Sequence, residues 1–277
     1  MFRPVRPSLN RASGEVHERE IGRVLRVTRF EGAAPVADRL VLLGFVNRSG
    51  SNLLGEYLRS LPGLHGFQES LNHEVVAKRC ERRGIDSFPD YIRGLIDAAG
   101  GDGLGLKASG AQIEMLHKWK ILCMFGSVRG IHVVRQDIVA QAVSLWIARH
   151  TKQWKSTRAS VVSEREVPFD LAEIVRITEA ITRQNARVAT AFSAIGIPWQ
   201  TVVYERLIEQ PEPEIARLAS FLDLDLHGWE MPRQLGIERQ ISPMKDAFVA
   251  RVRAQLASDW SSRDDGPHAG GAWSRKA

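Results

Sequence analysis

The chain has 277 residues, 44% of them hydrophobic, which is enough for one substantial core and fits a single α/β domain with ragged ends. Its net charge of +6 suits an anionic ligand, but the basic residues are spread along the chain with no run of five or more like charges, which argues against nucleic acid as a partner. No apolar stretch approaches the roughly 18 to 20 residues of a membrane span, and Arg3, Arg6 and Arg11 have no apolar core behind them as a secretory signal would, so the expectation is a cytoplasmic protein.

Residues 1 to about 37 mix proline, glycine and charge with little periodicity; within them, Ile21 to Phe30 alternates partly and is compatible with an edge strand. The first firm element is the run Leu40 to Val46, continuous and β-branched as in a buried parallel strand. From Asn52 the spacing turns helical, with Leu53, Leu54, Tyr57, Leu58 and Leu61 on one side before Pro62-Gly63 stops it. Leu64 to Gln68 reads as a second strand. Helices are expected at about Asn72 to Arg83, Phe88 to Ala99 and Ala111 to Leu122, with a strand at Leu104 to Lys107.

Ile131 to Val134 reads as a further core strand, followed by a helix from Asp137 to His150, a long helix from Leu171 to Ile195, a strand at Trp199 to Val203 and a helix from Pro243 to Leu256. This alternation predicts a central parallel sheet flanked by helices, with the domain over residues 38–257 and a disordered tail over 258–277. Cys80 and Cys123 fall in helical segments without the spacing of a zinc site or a disulfide framework, and read as reduced packing residues.

The segment Asn47-Arg48-Ser49-Gly50-Ser51-Asn52 leads from the first strand into a helix. A helix N-terminus offers unpaired N–H groups and partial positive charge, so such a loop suits a phosphate. Gly50 allows close backbone approach, Ser49 and Ser51 add hydroxyls, and Arg48 adds a forked permanent cation. It is not a Walker A loop, since five residues separate Gly44 from Gly50 and no Gly-Lys-Ser/Thr follows. On this loop alone, an ordinary strand-to-helix turn explains the pattern equally well. A second anion-binding end is offered by His132-Val133-Val134-Arg135-Gln136-Asp137, because ligands of open α/β sheets bind beyond the carboxyl ends of strands. Ser144 lies two turns into the next helix.

Taken in order, these blocks resemble the sulfotransferase superfamily, specifically its bacterial trehalose 2-sulfotransferase-like group. Arg48 to Leu54 resembles the family's 5′-phosphosulfate loop, and Val133 to Asp137 through Gln141 to Trp146 its 3′-phosphate segment. Ala148 to Trp154, Gly66-Phe67-Gln68-Glu69-Ser70 and Trp199 to Leu207 also fit, so that the similarity runs from about Leu40 to Leu222. The resemblance implies a P-loop-like sulfotransferase fold, 3′-phosphoadenosine 5′-phosphosulfate as sulfuryl donor, no metal, and a hydroxyl acceptor of the carbohydrate or glycolipid kind. It also allows a homodimer, which relatives often form.

Carried over residue by residue, the resemblance gives Arg48, Ser49, Gly50, Ser51 and Asn52 to the donor loop, Arg135 and Ser144 to the 3′-phosphate, and Glu69 to the base that takes the acceptor's proton. The family's 3′-phosphate arginine usually lies eight residues before the serine, which is Gln136 here; Arg135 sits one residue earlier, as in many members of this group. Arg239 is a candidate to close over the nucleotide. Lys107 is either an acceptor or sulfuryl ligand or a plain surface lysine, and Trp154 a stacking wall for a sugar ring. His65, the rival base, reads as a packing residue, His132 as a satisfied core histidine, Trp146 as core packing, and Tyr204-Glu205 as a turn. The competing readings are a magnesium-dependent nucleotide kinase, weakened by the missing Walker lysine, and a non-catalytic nucleotide-binding relative, motivated by Gln136.

Overall fold

The apolar run at Leu40 becomes the centre of a parallel sheet because both of its faces are covered. In the computed structural model, which describes residues 14–100, 103–153, 163, 166–232 and 242–261, β1 spans Ala37–Phe45, β2 His65–Gly66, β3 Gly103–Ala108, β4 Phe125–Val134 and β5 Trp199–Val203. The order is β2-β3-β1-β4-β5 and every neighbouring pair is parallel. Side chains alternate across a strand. Leu40 and Leu42 therefore join one buried cluster with Leu104 and Leu106, while Val41 and Leu43 join another with Ile131 and Val133. Leu40 to Leu43 are all fully buried, each contributing up to about 1.5–3 kcal/mol.

The helices are α1 Gly14–Val24, α2 Ser51–Ser60, α3 His73–Arg83, α4 Phe88–Ala98, α5 Gly110–Lys118, α6 Ile138–Thr151, α7 Leu171–Ile195, α8 Tyr204–Glu209, α9 Pro211–Phe221 and α10 Pro243–Ser261. Residues of α1, α3, α4, α5 and α7 pack into the cluster containing Leu40, and those of α2, α8 and α9 into the cluster containing Val41. A third cluster joins α6, α7 and α10. Gly44 lets α7 lie against β1, since a Cβ there would fall 2.5 Å from the Val188 side chain.

The chain leaves β1 toward β2 and β3 on one side, then crosses to β4 and β5 on the other. The carboxyl ends of β1 and β4 thus flank the switch point of the sheet, where ligands of such folds bind.

Several expectations are corrected. Ile21 to Phe30 is not an edge strand: Ile21 and Leu25, four residues apart, lie on the buried side of α1 and its C-terminal end, and Val27 makes only an isolated bridge to Ser87. The stretch after Ala111 does not stay helical to Leu122, because Lys120 adopts φ 54 and a 3₁₀ turn covers Ile121–Met124. Cys80 is buried, but Cys123 is exposed and not a packing residue. His65 is exposed too, on the two-residue edge strand β2, rather than packed. Helices α8 and α9 lie where no helix was anticipated, α9 opening on Pro211 at its first turn. Helix α10 runs on to Ser261, and residues 262–277 lie outside the described residues.

Candidate active site

The loop after β1 is held in an uncommon conformation. Arg48 has φ 67, a region that costs a non-glycine residue about 1–2 kcal/mol. Gly50 has φ 92, and a Cβ on it would fall 2.2 Å from the Tyr204 ring. Two anchors on α6 hold the loop: Gln141 donates from Nε2 to the Asn47 carbonyl at 2.9 Å, and Arg48 Nε donates to Ser144 Oγ at 3.0 Å. Gln141 and Ser144 are three residues apart and so share one helix face.

Arg48 opens onto a cleft also lined by Arg135, Thr151, Tyr204 and Lys245. Arg135 follows the last residue of β4, and its guanidinium sits 5.0 Å from the Tyr204 ring centroid. Its Nε is 3.6 Å from Glu205 Oε1, an ion pair beyond hydrogen-bond length that leaves the buried Nε without a hydrogen-bond partner. The Ser49 hydroxyl is likewise buried and unpartnered. Such groups cost about 1–3 kcal/mol each until something satisfies them. Burial first, and then repulsion from Arg135, lowers the Arg48 pKa from its ordinary value, with Tyr204 pulling the other way. Both guanidiniums remain charged, so an anion entering the cleft relieves an existing electrostatic penalty.

Position 136 is turned away. Gln136 is exposed, and its backbone N–H donates to Glu205 Oε2 at 3.0 Å while that of Asp137 donates to Oε1 at 3.4 Å. Glu205 therefore fixes the turn after β4; the turn expected at Tyr204-Glu205 itself is instead the start of helix α8. Asp137 caps α6 by accepting from the Ala140 N–H at 2.9 Å, and it pairs with Arg253 of α10 at 2.8 Å.

Asn47 lines a second cleft, together with His17, Phe45, Glu69, Lys107 and Gln184. Lys107 is not a surface lysine: its side chain is 2% exposed, donates from Nζ to Asn52 Oδ1 at 2.7 Å, pairs with Glu69 Oε1 at 3.1 Å, and lies 4.5 Å from the Phe45 ring centroid. The Glu69 side chain is half-exposed. The chain just after it is pinned from below, where the Tyr91 hydroxyl donates to the Ser70 carbonyl at 2.7 Å and Gln112 Nε2 to the Leu71 carbonyl at 2.9 Å. Burial pushes the Tyr91 pKa up to about 12, so that hydroxyl stays a donor. Gln112 is held in turn by a capping box with Ser109.

The carboxylate after β2, the lysine of β3 and the asparagine in the first turn of α2 thus come together, while Arg48, Arg135 and Ser144 meet in the neighbouring cleft. His132 stands apart as a core histidine, 3.2 Å from Asn185 Oδ1, its pKa lowered chiefly by burial against the opposing effect of that bond. Trp146 donates to the Pro168 carbonyl at 2.8 Å and packs with the third cluster. Trp154 and Arg239 lie outside the described residues. Tyr204, Lys245, His17 and Gln184 were not anticipated as cleft residues; for Tyr204, its place directly after β5 was a usable signal.

The sequence profile described as Stf0 sulphotransferase matches residues 113–259. The chain belongs to the Stf0 sulphotransferase family. The matched stretch of this sulfotransferase contains Arg135, Ser144, Tyr204 and Lys245, whereas Arg48, Glu69 and Lys107 precede it. No curated protein matches the chain. Among solved structures, the sulfotransferase domain from the Synechococcus PCC 7002 olefin synthase is similar at 18% identity and a TM-score of 0.48, over 85% of this chain and 98% of that one. The sulfotransferase domain from the curacin biosynthetic pathway has 14% identity and a TM-score of 0.48, over 81% and 99%. A sulfotransferase from Alicyclobacillus acidocaldarius has 15% identity and a TM-score of 0.47, over 82% and 96%. Among the described residues of this sulfotransferase, no group of three or more His, Cys, Asp or Glu could hold a metal ion, and no helix is long and apolar enough to cross a membrane.

Proposed function

We propose that this sulfotransferase moves the sulfuryl group of 3′-phosphoadenosine 5′-phosphosulfate to a hydroxyl of a carbohydrate or glycolipid acceptor. The observation that carries this reading is the division of labour at one loop: Arg48 opens onto a cationic cleft, and its neighbour Asn47 lines a cleft holding a carboxylate and a buried lysine. The first suits the two phosphates of the donor, and the second suits a hydroxyl that must lose a proton.

In this reading Arg48 and the loop N–H groups bind the 5′-phosphosulfate, while Arg135 and Ser144 serve the 3′-phosphate, with Ser49, Gly50, Ser51 and Asn52 forming the wall of the donor site. The unpartnered Ser49 hydroxyl and Arg135 Nε support a polyanionic ligand here. The acceptor oxygen gives its proton to the Glu69 carboxylate and attacks sulfur as the bond from sulfur to the 5′-phosphate oxygen breaks. Adenosine 3′,5′-bisphosphate leaves with the bond's electron pair, its new charge facing Arg48. The protein need only align the partners and stabilise charge. In the same reading Lys107, bonded to Asn52 and paired with Glu69, orients both side chains and meets the sulfuryl oxygens.

The second cleft is lined mainly by amide, carboxylate, imidazole and hydroxyl side chains, with Phe45, Val46 and Leu71 as apolar members. That lining supports a polyhydroxylated acceptor over a flat apolar phenol. The test is incubation with radiolabelled donor and a panel of saccharides and glycolipids. Label transfer that disappears in Glu69→Gln is expected. Transfer that persists unchanged in Glu69→Gln contradicts the assigned base, and labelling of apolar phenols alone contradicts the acceptor class.

A further inference from the structure

We infer that His17, carried by the N-terminal helix α1, is an acceptor-binding residue that donates a hydrogen bond from Nε2 to an oxygen of the acceptor beside Glu69. This rests on the sulfuryl-transfer reading above and adds a contact from outside the motifs that suggested it.

His17 lines the same cleft as Glu69, Lys107 and Asn47, although more than fifty residues separate it from Glu69 in sequence. Its Nδ1 accepts the backbone N–H of His73 at 3.2 Å and lies 2.9 Å from His73 Nδ1. A ring nitrogen that accepts a peptide N–H carries no proton, so in the neutral ring the proton resides on Nε2. The short contact fits the same assignment, with His73 as the Nδ1–H donor. Burial first, and then His73, lowers the His17 pKa against the pull of Glu74 and Glu69, which keeps the ring neutral near pH 7. His17 therefore offers a fixed neutral donor, and its engaged Nδ1 is not available to act as a base.

This complements the rest of the cleft. Glu69 accepts, Lys107 is a cation already engaged with Glu69 and Asn52, and His17 provides an uncharged donor of the kind a sugar hydroxyl oxygen accepts. Helix α1 is anchored for the task, since Ile21 is 1% exposed within the main core cluster and Lys118 of α5 pairs with Glu18. On this account the acceptor end of the site is incomplete without residues N-terminal to the sheet.

Two experiments on the full chain test the assignment. Long-range ¹⁵N–¹H correlation spectra of the imidazoles should show His17 as the Nε2–H tautomer; an Nδ1–H tautomer overturns the proposal without reference to any ligand. In parallel, His17→Phe keeps ring bulk without a donor and His17→Gln restores one. With a saccharide that the wild type sulfates, His17→Phe should raise the acceptor KM about tenfold or more, with affinity for adenosine 3′,5′-bisphosphate changed less than twofold, and His17→Gln should recover part of the loss. An unchanged KM, or a parallel loss of bisphosphate affinity, overturns the assignment alone. Bisphosphate binding with transfer to none of the saccharides overturns the carbohydrate reading and His17's role with it. Absence of bisphosphate binding in the wild type overturns sulfuryl transfer itself.

Discussion

Arg48 Nε and Ser144 Oγ meet at 3.0 Å although 96 residues separate them, joining the loop after β1 to the helix after β4 across the switch point of the sheet. The serine sets the direction of the guanidinium. Ser144→Ala is expected to weaken adenosine 3′,5′-bisphosphate binding about tenfold, the loss of one charge-assisted hydrogen bond, with little change in thermal stability. Calorimetric titration alongside a melting curve checks both parts.

Gly50 is constrained twice over, by φ 92 and by the Tyr204 ring 2.2 Å from where a Cβ would stand. Gly63 has φ 67 with nothing near its Cβ position. Gly63→Ala should cost only the backbone penalty of about 1–2 kcal/mol, whereas Gly50→Ala must also displace Tyr204 from beneath Arg135. Denaturant unfolding should place Gly50→Ala clearly below Gly63→Ala, and bisphosphate affinity should fall in the former only.

Arg135 lines the same cleft as Arg48, while Gln136 is exposed with its backbone tied to Glu205. Bisphosphate titration should therefore separate neighbours: Arg135→Ala loses about tenfold or more in affinity, and Gln136→Ala stays within twofold. The reverse order would move the phosphate contact to Gln136, and unchanged affinity in both variants would favour a relative that has lost the 3′-phosphate site.

Lys107 is buried between Asn52 and Glu69. Lys107→Met keeps the stem but removes the charge that orients the carboxylate, and is expected to lower kcat at least tenfold with bisphosphate affinity little changed. Glu69→Gln should lower kcat further, by about 10²–10⁴, the usual worth of a general base. Steady-state kinetics at saturating donor separates the two effects.

Burial lowers the pKa of His132 below 6.5, and the same direction holds for His17. The unfolded chain then binds more protons than the folded one between the depressed pKa values and 6.5. Stability is accordingly full above about pH 6.5 and declines as pH falls through that window. The midpoint of thermal unfolding should show this acid-side loss, and His132→Gln should flatten it in part, leaving the share due to His17.

The elements that were legible in sequence are those whose ends carry their own chemistry. Asn72, Ser87, Asp137 and Asp170 each accept a backbone N–H at the start of their helices, and β1 announces itself because both of its faces are buried. Where burial is partial the signal fades. Helix α1 mixes one buried stripe with exposed valines such as Val16 and Val24, and the outer half of β4 is interrupted by Gly126 and Gly130. The loop from Asn47 to Asn52 was legible as a strand-to-helix turn able to take an anion, because Gly50 and its flanking serines stand between a buried strand and a helical pattern, although an ordinary turn fits the same residues. The Lys107–Asn52–Glu69 cluster and the place of His17 were not, since each depends on which strand ends and helices become neighbours, and this is fixed by the sheet order rather than by local pattern.

The most direct test of the account is calorimetric titration of the full chain with adenosine 3′,5′-bisphosphate, beside the same titration of Arg48→Ala. Saturable one-site binding by the wild type, weakened by roughly thirtyfold or more in the variant as expected for loss of a partly buried cation, is the predicted result. No binding by the wild type, or equal binding by Arg48→Ala, would contradict a donor site built on the loop from Asn47 to Asn52.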